Sequence, residues 1–309
     1  MTLRKYLSEI GINMQAQTLA LLQQDGFSTL PPDAGPFHLY MVLQRPRIAL
    51  DPSSVVFSNT SVQGRFSIQK QNTLEHYDFV GFNGLGTSNV RLECNYPHTE
   101  FKVRDANGNV LSSGKVANLI ANMSTKFWNH MDLEVLYVGQ SYGEAGSREA
   151  PTRLASHSTL QSIYAEAIRA APDKEVWLLL LQFGEMRLVS FDGRSQQLGT
   201  TPDQDVAHFK EAMAAELTEQ QKINFTEAAL IKYFQPRFNE IYKNTFPSPA
   251  HSTYSQCYDI DLNSVSFEIE TESIKGRLWS TAAPPSWLHI GTFPLHSTEE
   301  RKSMFDFFK

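Results

Sequence analysis

The chain has little cysteine, no long apolar segment and no excess of positive charge. Its two cysteines, Cys94 and Cys257, lie far apart and lack the close spacing of a metal-binding motif. So few cysteines favour a reduced setting in which both thiols are ordinary core or surface residues. No apolar run approaches the roughly 18 to 20 residues that span a bilayer, and Ser8 and Glu9 fall where a secretion signal is apolar. The sequence therefore predicts a cytoplasmic protein without a membrane-spanning part.

The charge balance is acidic. Asp and Glu number 33 against 27 Lys and Arg, which gives a net charge of -6. Non-specific affinity for nucleic acid comes mainly from Lys and Arg side chains that neutralise phosphates. The balance therefore argues against a protein that coats nucleic acid, but it is compatible with an enzyme that engages a short stretch of backbone through a local basic site.

The first part of the chain changes from a helical pattern to a strand pattern. Residues 1–25 place leucine and isoleucine at helical spacing, which predicts a helix. Between residues 37 and 116, short segments rich in β-branched and aromatic residues are separated by Pro, Gly, Asn or Ser, which predicts antiparallel strands. Asn107-Gly108 is typical of a hairpin turn. Residues 1–118 are therefore predicted to form a helix followed by a β-rich domain.

The middle of the chain, residues 119–247, is predicted to form a second domain of strands and helices in the order β-α-β-β-α-α. The strands are expected at residues 133–138, 176–183 and 186–191, with a turn at Gly184-Glu185. A helix is expected after Pro151. A second helix is predicted to bury one apolar face at helical spacing, formed by Val206, Phe209, Met213 and Leu217.

The last region, residues 248–309, returns to strand patterns. The segments SVSFEIETE and GRLWSTA predict a hairpin, and the aromatic tail is too apolar for free disorder. We expect the tail to pack back on the body of the protein. Taken together, the three regions predict the α+β fold class.

One stretch, TEAALIKYFQPRFN, begins at Thr226 and carries a motif of functional interest. A helix cannot continue through Pro236, so it should end about one residue earlier. The helix is predicted to begin near Asn224, which places Glu227 in its first turn. An alternative role for Glu227 is structural, because Asn224 and Glu227 have the spacing of a capping box. Asn239 lies twelve positions beyond Glu227, and its alternative role is that of a turn residue after a helix.

A second stretch, LYVGQSYGEAGSREAPTRLASH, carries a strand end followed by a basic pair. Tyr137 lies in the predicted strand, where an aromatic residue is usually part of the core. Gly139 lets the strand end and lets a substrate approach the backbone closely. Arg153 and His157 are four residues apart, so on a helix they share one face. The pair could also be an incidental feature of an exposed helix.

Taken together in their order along the chain, with residues 136–157 before residues 226–239, the two stretches resemble the GIY-YIG endonuclease superfamily over about residues 126–245. The run Tyr137-Val138-Gly139 is similar to the second-strand motif of that family, and Arg153 with His157 is similar to its helix motif. The Glu that opens a helix and the following Pro-basic-aromatic-Asn run match the C-terminal motif. The resemblance implies an α/β/α core around a small antiparallel sheet.

The resemblance also implies an activity, the hydrolysis of DNA phosphodiester bonds by a Mg²⁺-dependent endonuclease, with Mn²⁺ as an alternative ion. The implied biological role is repair, restriction or defence against foreign DNA. Tyr137 and His157 would handle protons, and Arg153 would hold phosphate. Glu227 would bind the metal, and Asn239 would support the site. The substrate-binding residues would be Gly139, Gln140, Lys232 and Arg237.

The family's first-strand motif, Gly-Ile-Tyr, is not visible about ten residues before Tyr137, where the chain reads Lys126-Phe127-Trp128. The sequence therefore leaves open a second reading, a catalytically inactive module for binding or assembly. RNA as the substrate also stays open. The β-rich first domain is the expected contact for a protein partner or a second copy of the chain.

Overall fold

The computed structural model describes residues 4–31, 34–141, 158–191, 193 and 198–306. The strands in these ranges are β1 Ser8–Leu22, β2 Leu39–Pro46, β3 Ile48–Phe57, β4 Ser61–Lys70, β5 Thr73–Phe82, β6 Arg91–Glu93, β7 Glu100–Arg104, β8 Val110–Lys115, β9 Leu133–Gln140, β10 Lys174–Phe191, β11 Ser264–Glu270, β12 Leu278–Trp279 and β13 Leu288–Pro294. The helices are α1 Val116–Met123, α2 Ser158–Ala170, α3 Pro202–Ala214, α4 Glu219–Phe234 and α5 Gln256–Asp259. Strands and helices are both extensive, so the predicted α+β class is confirmed. Within the described ranges, every helix is too short or too polar to cross a membrane.

A seven-stranded mixed sheet forms the centre of the protein. Its strands lie in the order β12-β9-β2-β10-β1-β11-β13. Strand β2 is antiparallel to both of its neighbours, β9 and β10, whereas β1 pairs with β11 in parallel. Each of the three regions predicted as domains contributes strands to this one sheet. The strand that carries Tyr137 therefore belongs to a large sheet built from distant parts of the chain.

The predicted N-terminal helix is wrong, because residues 8–22 form the long strand β1. This strand pairs with β10 on one side and, over Gly11 to Gln15, with β11 on the other. Its first seven residues are all buried, so the alternation of an ordinary half-buried strand is missing. Partners more than 150 residues away in sequence stabilise β1, and the local pattern does not record them.

The predicted hairpin at Gly184-Glu185 is also wrong, because β10 runs without a turn from Lys174 to Phe191. Gly184 lies opposite Gln15 of β1, next to an irregularity between Ala16 and Thr18 that leaves Gln17 as the extra residue. A Cβ atom on Gly184 would lie 2.0 Å from the Gln17 side chain. The glycine therefore makes room for a β-bulge in the neighbouring strand.

The strands predicted between residues 37 and 116 are confirmed. After β2, the chain leaves the large sheet and forms two three-stranded antiparallel sheets, β3-β4-β5 and β6-β7-β8. Gly108 has a φ of +86°, and the Asp105 carboxylate accepts hydrogen bonds from the backbone of Asn107 and Asn109, as the predicted hairpin turn requires. We call residues 47–132 the inserted unit, because it separates the neighbouring strands β2 and β9.

The predicted C-terminal hairpin is wrong in its pairing. Strand β11 pairs with β1 and β13, while the short strand β12 pairs with β9 at the opposite edge of the sheet. The tail does return to the body, as expected. Arg301 and Met304 are buried, and the backbone N–H of Met304 donates to Asn263.

Helices cover both faces of the sheet. Alternate residues of β2 belong to different clusters: Tyr40 and Val42 pack with Leu160 and Ile163 of α2, whereas Met41 packs in the cluster that contains α4. The face predicted for α3 is only partly correct, because Val206 and Met213 are largely exposed although Leu217, just beyond the helix, is buried. The helix instead buries Asp205, His208 and Ala212, and the Asp205 carboxylate accepts a hydrogen bond from the backbone N–H of Ser8.

Candidate active site

Strand β9 brings Tyr137, Gly139 and Gln140 to one end of the central sheet. It pairs with β2 so that Gly139 lies opposite Tyr40. Tyr137 is half-buried and Gly139 is buried. The short strand β12 covers only Leu133 and Glu134 at the other end of β9.

Gly139 allows two tyrosine rings to meet at this end of the sheet. A Cβ atom on Gly139 would lie 2.6 Å from the Tyr40 hydroxyl and 2.7 Å from Cε1 of Tyr137. The two ring centroids are 6.1 Å apart, with the planes tilted by 37°. Any larger residue at position 139 would displace one of the rings. The glycine is thus needed for the close packing of the two tyrosine rings.

Tyr40 is a residue that the sequence reasoning missed. The family resemblance places the neighbouring strand about ten residues before Tyr137, but Thr125–His130 forms a 3₁₀ helix there, and Phe127 packs on Phe66 of the inserted unit. The antiparallel neighbour of β9 is β2, on the far side of that unit. A usable signal was present, because the pair Leu39-Tyr40 in a predicted strand repeats the pair at 136 and 137.

Helix α4 brings Glu227 to the end of β9 through Gln140. The Gln140 side-chain amide donates to Glu227 Oε2 at 2.7 Å and to Asn224 Oδ1 at 3.0 Å. Gln220, one turn before Asn224, also donates to Asn224 Oδ1 at 2.9 Å. A polar cluster therefore joins the strand that carries Tyr137 to the middle of the helix that carries Glu227.

The capping role considered for Glu227 does not hold, and its predicted place in the first turn is wrong. Helix α4 begins at Glu219, where the Thr218 side chain accepts a hydrogen bond from the backbone N–H of Gln221. Asn224 lies inside the helix and donates its side-chain N–H to the carbonyl of Thr253. The Glu227 carboxylate is therefore not used to cap the helix.

The end of α4 agrees with the prediction. The last helical residue is Phe234, and Gln235 takes a left-handed conformation with φ of 48° before Pro236. The chain then runs beside β9, where the backbone N–H of Phe238 donates to the carbonyl of Leu136 at 3.0 Å. This segment takes the edge of β9 that β12 leaves uncovered.

Asn239 fixes that segment to the strand. Its buried side chain accepts a hydrogen bond from the N–H of Val138 at 2.9 Å and donates one to the carbonyl of the same residue at 2.8 Å. An amide side chain thus imitates a neighbouring strand and satisfies both polar groups of one residue. Since Val138 lies between Tyr137 and Gly139, Asn239 is well placed to support the candidate site.

Replacing Asn239 by alanine is expected to lower the free energy of unfolding by about 1 to 3 kcal/mol, because two buried backbone groups of Val138 lose their partner. Urea denaturation of the Asn239→Ala variant measures this loss. The control is Glu240→Ala, since Glu240 is exposed and surface substitutions usually change stability by less than about 0.5 kcal/mol. Equal stability of the two variants would contradict the role assigned to Asn239.

The predicted substrate-binding cations lie near the C-terminal end of α4. Lys232 is half-buried in the last turn. Arg237 has a side chain 60% exposed, pairs with Glu166 of α2 at 2.6 Å, and places its guanidinium over the Phe238 ring. Because the ion pair is exposed, it is weak, and Arg237 can exchange its carboxylate partner for a phosphate.

Arg153 and His157 lie outside the described residues. The described residues of helix α2 start at Ser158, and two of them, Leu160 and Ile163, pack in the same cluster as Tyr40 and Tyr137.

A bound metal would have to fit a site with one carboxylate. Within the described ranges, no group of three or more His, Cys, Asp and Glu side chains could hold a metal ion. Zinc sites are typically built from such groups. Mg²⁺, in contrast, commonly binds through one or two carboxylates and completes its shell with water and phosphate oxygens. Glu227, half-buried beside the amides of Gln140 and Asn224, fits that pattern.

Comparison with known proteins adds no relative: none of the family models, curated proteins or solved structures matches the chain.

Proposed function

We propose that the chain is a metal-dependent endonuclease that hydrolyses DNA phosphodiester bonds. One observation carries the proposal: the hydrogen bond between Gln140 and Glu227 brings a helix carboxylate to the end of the strand that contains Tyr137 and Gly139. In sequence, Tyr137, Gly139 and Glu227 resemble the motifs of GIY-YIG endonucleases, whereas Gln140 stands where members of that family often have a lysine. Their meeting in space is what a shared active site requires.

The phenol groups of Tyr137 and Tyr40 are the proposed proton-handling groups on the described strands. In phosphodiester hydrolysis, a water molecule loses a proton to a base, its oxygen bonds to phosphorus, and the bond to the departing alkoxide breaks. A free phenol has a pKa of about 10, so it needs nearby positive charge to act as a base. Arg153 is the proposed source of that positive charge. His157 is proposed to act as a second group that takes or gives a proton.

Glu227 is the proposed ligand for Mg²⁺ or Mn²⁺, and Gln140 holds its carboxylate in place. When bound, the ion supplies positive charge for the phosphoryl oxygens and favours ionisation of water. Asn239 keeps β9 in position through Val138. Lys232 and Arg237 offer charge to neighbouring phosphates of the substrate backbone.

A second candidate function is a binding or assembly module without catalytic activity. The observations that favour it are the net charge of -6 and the inserted unit, whose two additional sheets offer surface for a partner. Neither observation conflicts with a small catalytic site, so we place this function second.

The test is to incubate the purified protein with supercoiled plasmid, linear duplex, single-stranded DNA and structured RNA. Each substrate is tested with Mg²⁺, with Mn²⁺ and with a chelator. We expect nicking of DNA that requires a divalent ion. A folded protein that cleaves none of these substrates would overturn the proposal, and binding without cleavage would support the second candidate.

A further inference from the structure

The inserted unit holds a cavity of about 190 Å³ between its two sheets. Strands β3, β4 and β5 form one side, strands β6, β7 and β8 form the other, and helix α1 closes one end. This unit is joined to the large sheet at Pro46 and Leu133, whereas Tyr40 and Gly139 lie near the opposite ends of the same strands. The cavity is therefore separate from the candidate active site.

The cavity wall is aromatic and uncharged. Four phenylalanines line it, and the lining contains no Lys, Arg, His, Asp or Glu side chain: Phe57, Phe79, Phe82 and Phe101 are the aromatic residues. A charged ligand would be buried there without a partner, which is strongly unfavourable. The wall therefore selects an uncharged, largely apolar molecule, and its rings favour an aromatic one.

Two polar side chains also line the cavity, and they differ in their hydrogen bonds. Asn83 donates to the carbonyls of Ser58 and Thr87 and accepts from the N–H of Leu85, so its side chain is occupied by its own loop. The hydroxyl of Ser112 makes no hydrogen bond with any residue that the structure describes. Ser112 can therefore accept or donate one hydrogen bond to a ligand.

The size of the cavity indicates the size of the ligand. An apolar cavity of about 150 Å³ in another protein stays dry and takes up benzene. A slightly larger cavity with one free hydroxyl fits a molecule of one or two fused rings. Ordered water is a poor occupant, because a buried water needs two or more polar partners.

The cavity also has an entrance and an adjustable wall. Phe82 lines it and yet is 79% exposed, so the cavity reaches solvent at this ring. The loop that follows is open at Gly84, where an added Cβ atom would meet nothing within 4 Å. Met123 forms part of the wall, and a flexible thioether adapts to ligands of different outline.

We propose that the inserted unit is a binding site for a small uncharged aromatic molecule with one hydrogen-bonding group, of the size of indole. The ring occupies the space between the two sheets, and Ser112 bonds the polar group. This site is independent of the proposed nuclease activity, because it lies in a different part of the fold and uses none of the same residues.

The test is to titrate the full chain with 5-fluoroindole and follow the ¹⁹F signal of the probe by NMR. We expect saturable binding and a rise of the melting temperature with probe concentration. Benzoate, which has a similar ring but a negative charge, is expected not to bind. Absence of 5-fluoroindole binding, or equal binding of benzoate, would overturn the proposal.

Two cavity-filling variants and one control variant locate the site. Ser112→Phe fills the cavity and is expected to abolish probe binding. Ser113→Phe is the matched control, because Ser113 is the next residue of β8 and is exposed, so it should bind like the wild type. Leu119→Phe fills the same cavity from helix α1. It is the replacement variant if Ser112→Phe does not fold, and it too is expected to abolish probe binding. Undiminished binding in a folded cavity-filling variant would contradict the assignment.

Discussion

The Glu227→Gln variant is expected to nick supercoiled plasmid about a thousandfold more slowly than the wild type in Mg²⁺. The substitution removes the negative charge that holds the ion, and a bound metal contributes several kcal/mol to stabilising the transition state of phosphoryl hydrolysis. The new amide can still accept the hydrogen bond that Gln140 donates, so the helix and β9 should keep their contact. Single-turnover nicking at saturating protein measures the effect.

The matched control is Glu219→Gln on the same helix. Glu219 lies in the first turn of α4, and its side chain is 53% exposed. We expect this variant to nick plasmid at close to the wild-type rate. If Glu227→Gln also kept its rate while the wild type cleaved DNA, the assignment of Glu227 as the metal ligand would be wrong.

The Arg301→Met variant is expected to lose about 3 to 5 kcal/mol of unfolding free energy, the usual effect of breaking a buried ion pair from one side. Arg301 is 3% exposed and donates to Glu9, which is fully buried, and to Asp261. Glu9 accepts further hydrogen bonds from Asn263 and from the backbone of Tyr6. Without the guanidinium, the Glu9 carboxylate stays buried without its counterion, at the start of strand β1 of the central sheet.

Urea denaturation at neutral pH measures this loss. The control is Arg65→Met, because Arg65 also pairs with a carboxylate, that of Asp78, but both side chains are largely exposed. Exposed ion pairs contribute little to the free energy of unfolding, so this variant should unfold at the same urea concentration as the wild type. If Arg301→Met unfolded at the same urea concentration as Arg65→Met, the buried pair would not be holding the C-terminal tail to β1.

Features determined by neighbours in sequence were predictable. The strands of the inserted unit pair with their immediate successors through short turns, so alternation and turn residues such as Gly108 locate them. Pro236 likewise marks the end of α4. Features determined by distant partners were not predictable. Strand β1 is buried between two strands from later in the chain. Gly184 is a glycine because it makes room for the Gln17 side chain of β1, and it does not form a turn.

The same distinction holds for the candidate site. Tyr137, Gly139 and Glu227 could be selected because two stretches of the sequence resemble GIY-YIG motifs, and the structure brings Glu227 into contact with Gln140, the residue after Gly139. Tyr40 could not be selected in that way, because the inserted unit separates it from the strand it faces. The hydrogen bond between Asn239 and Val138 could not be predicted from the sequence either, because it depends on where the chain turns after α4.

The most direct test of the proposed site is to locate a bound Mn²⁺ ion. Its unpaired electrons broaden the NMR signals of nearby amides, so titration of the isotope-labelled protein maps its position. The account predicts selective broadening of Gly139, Gln140 and the α4 residues around Glu227, and loss of that broadening in Glu227→Gln. Broadening confined to other parts of the chain, or unchanged broadening in the variant, would contradict a metal-dependent nuclease site at the end of β9.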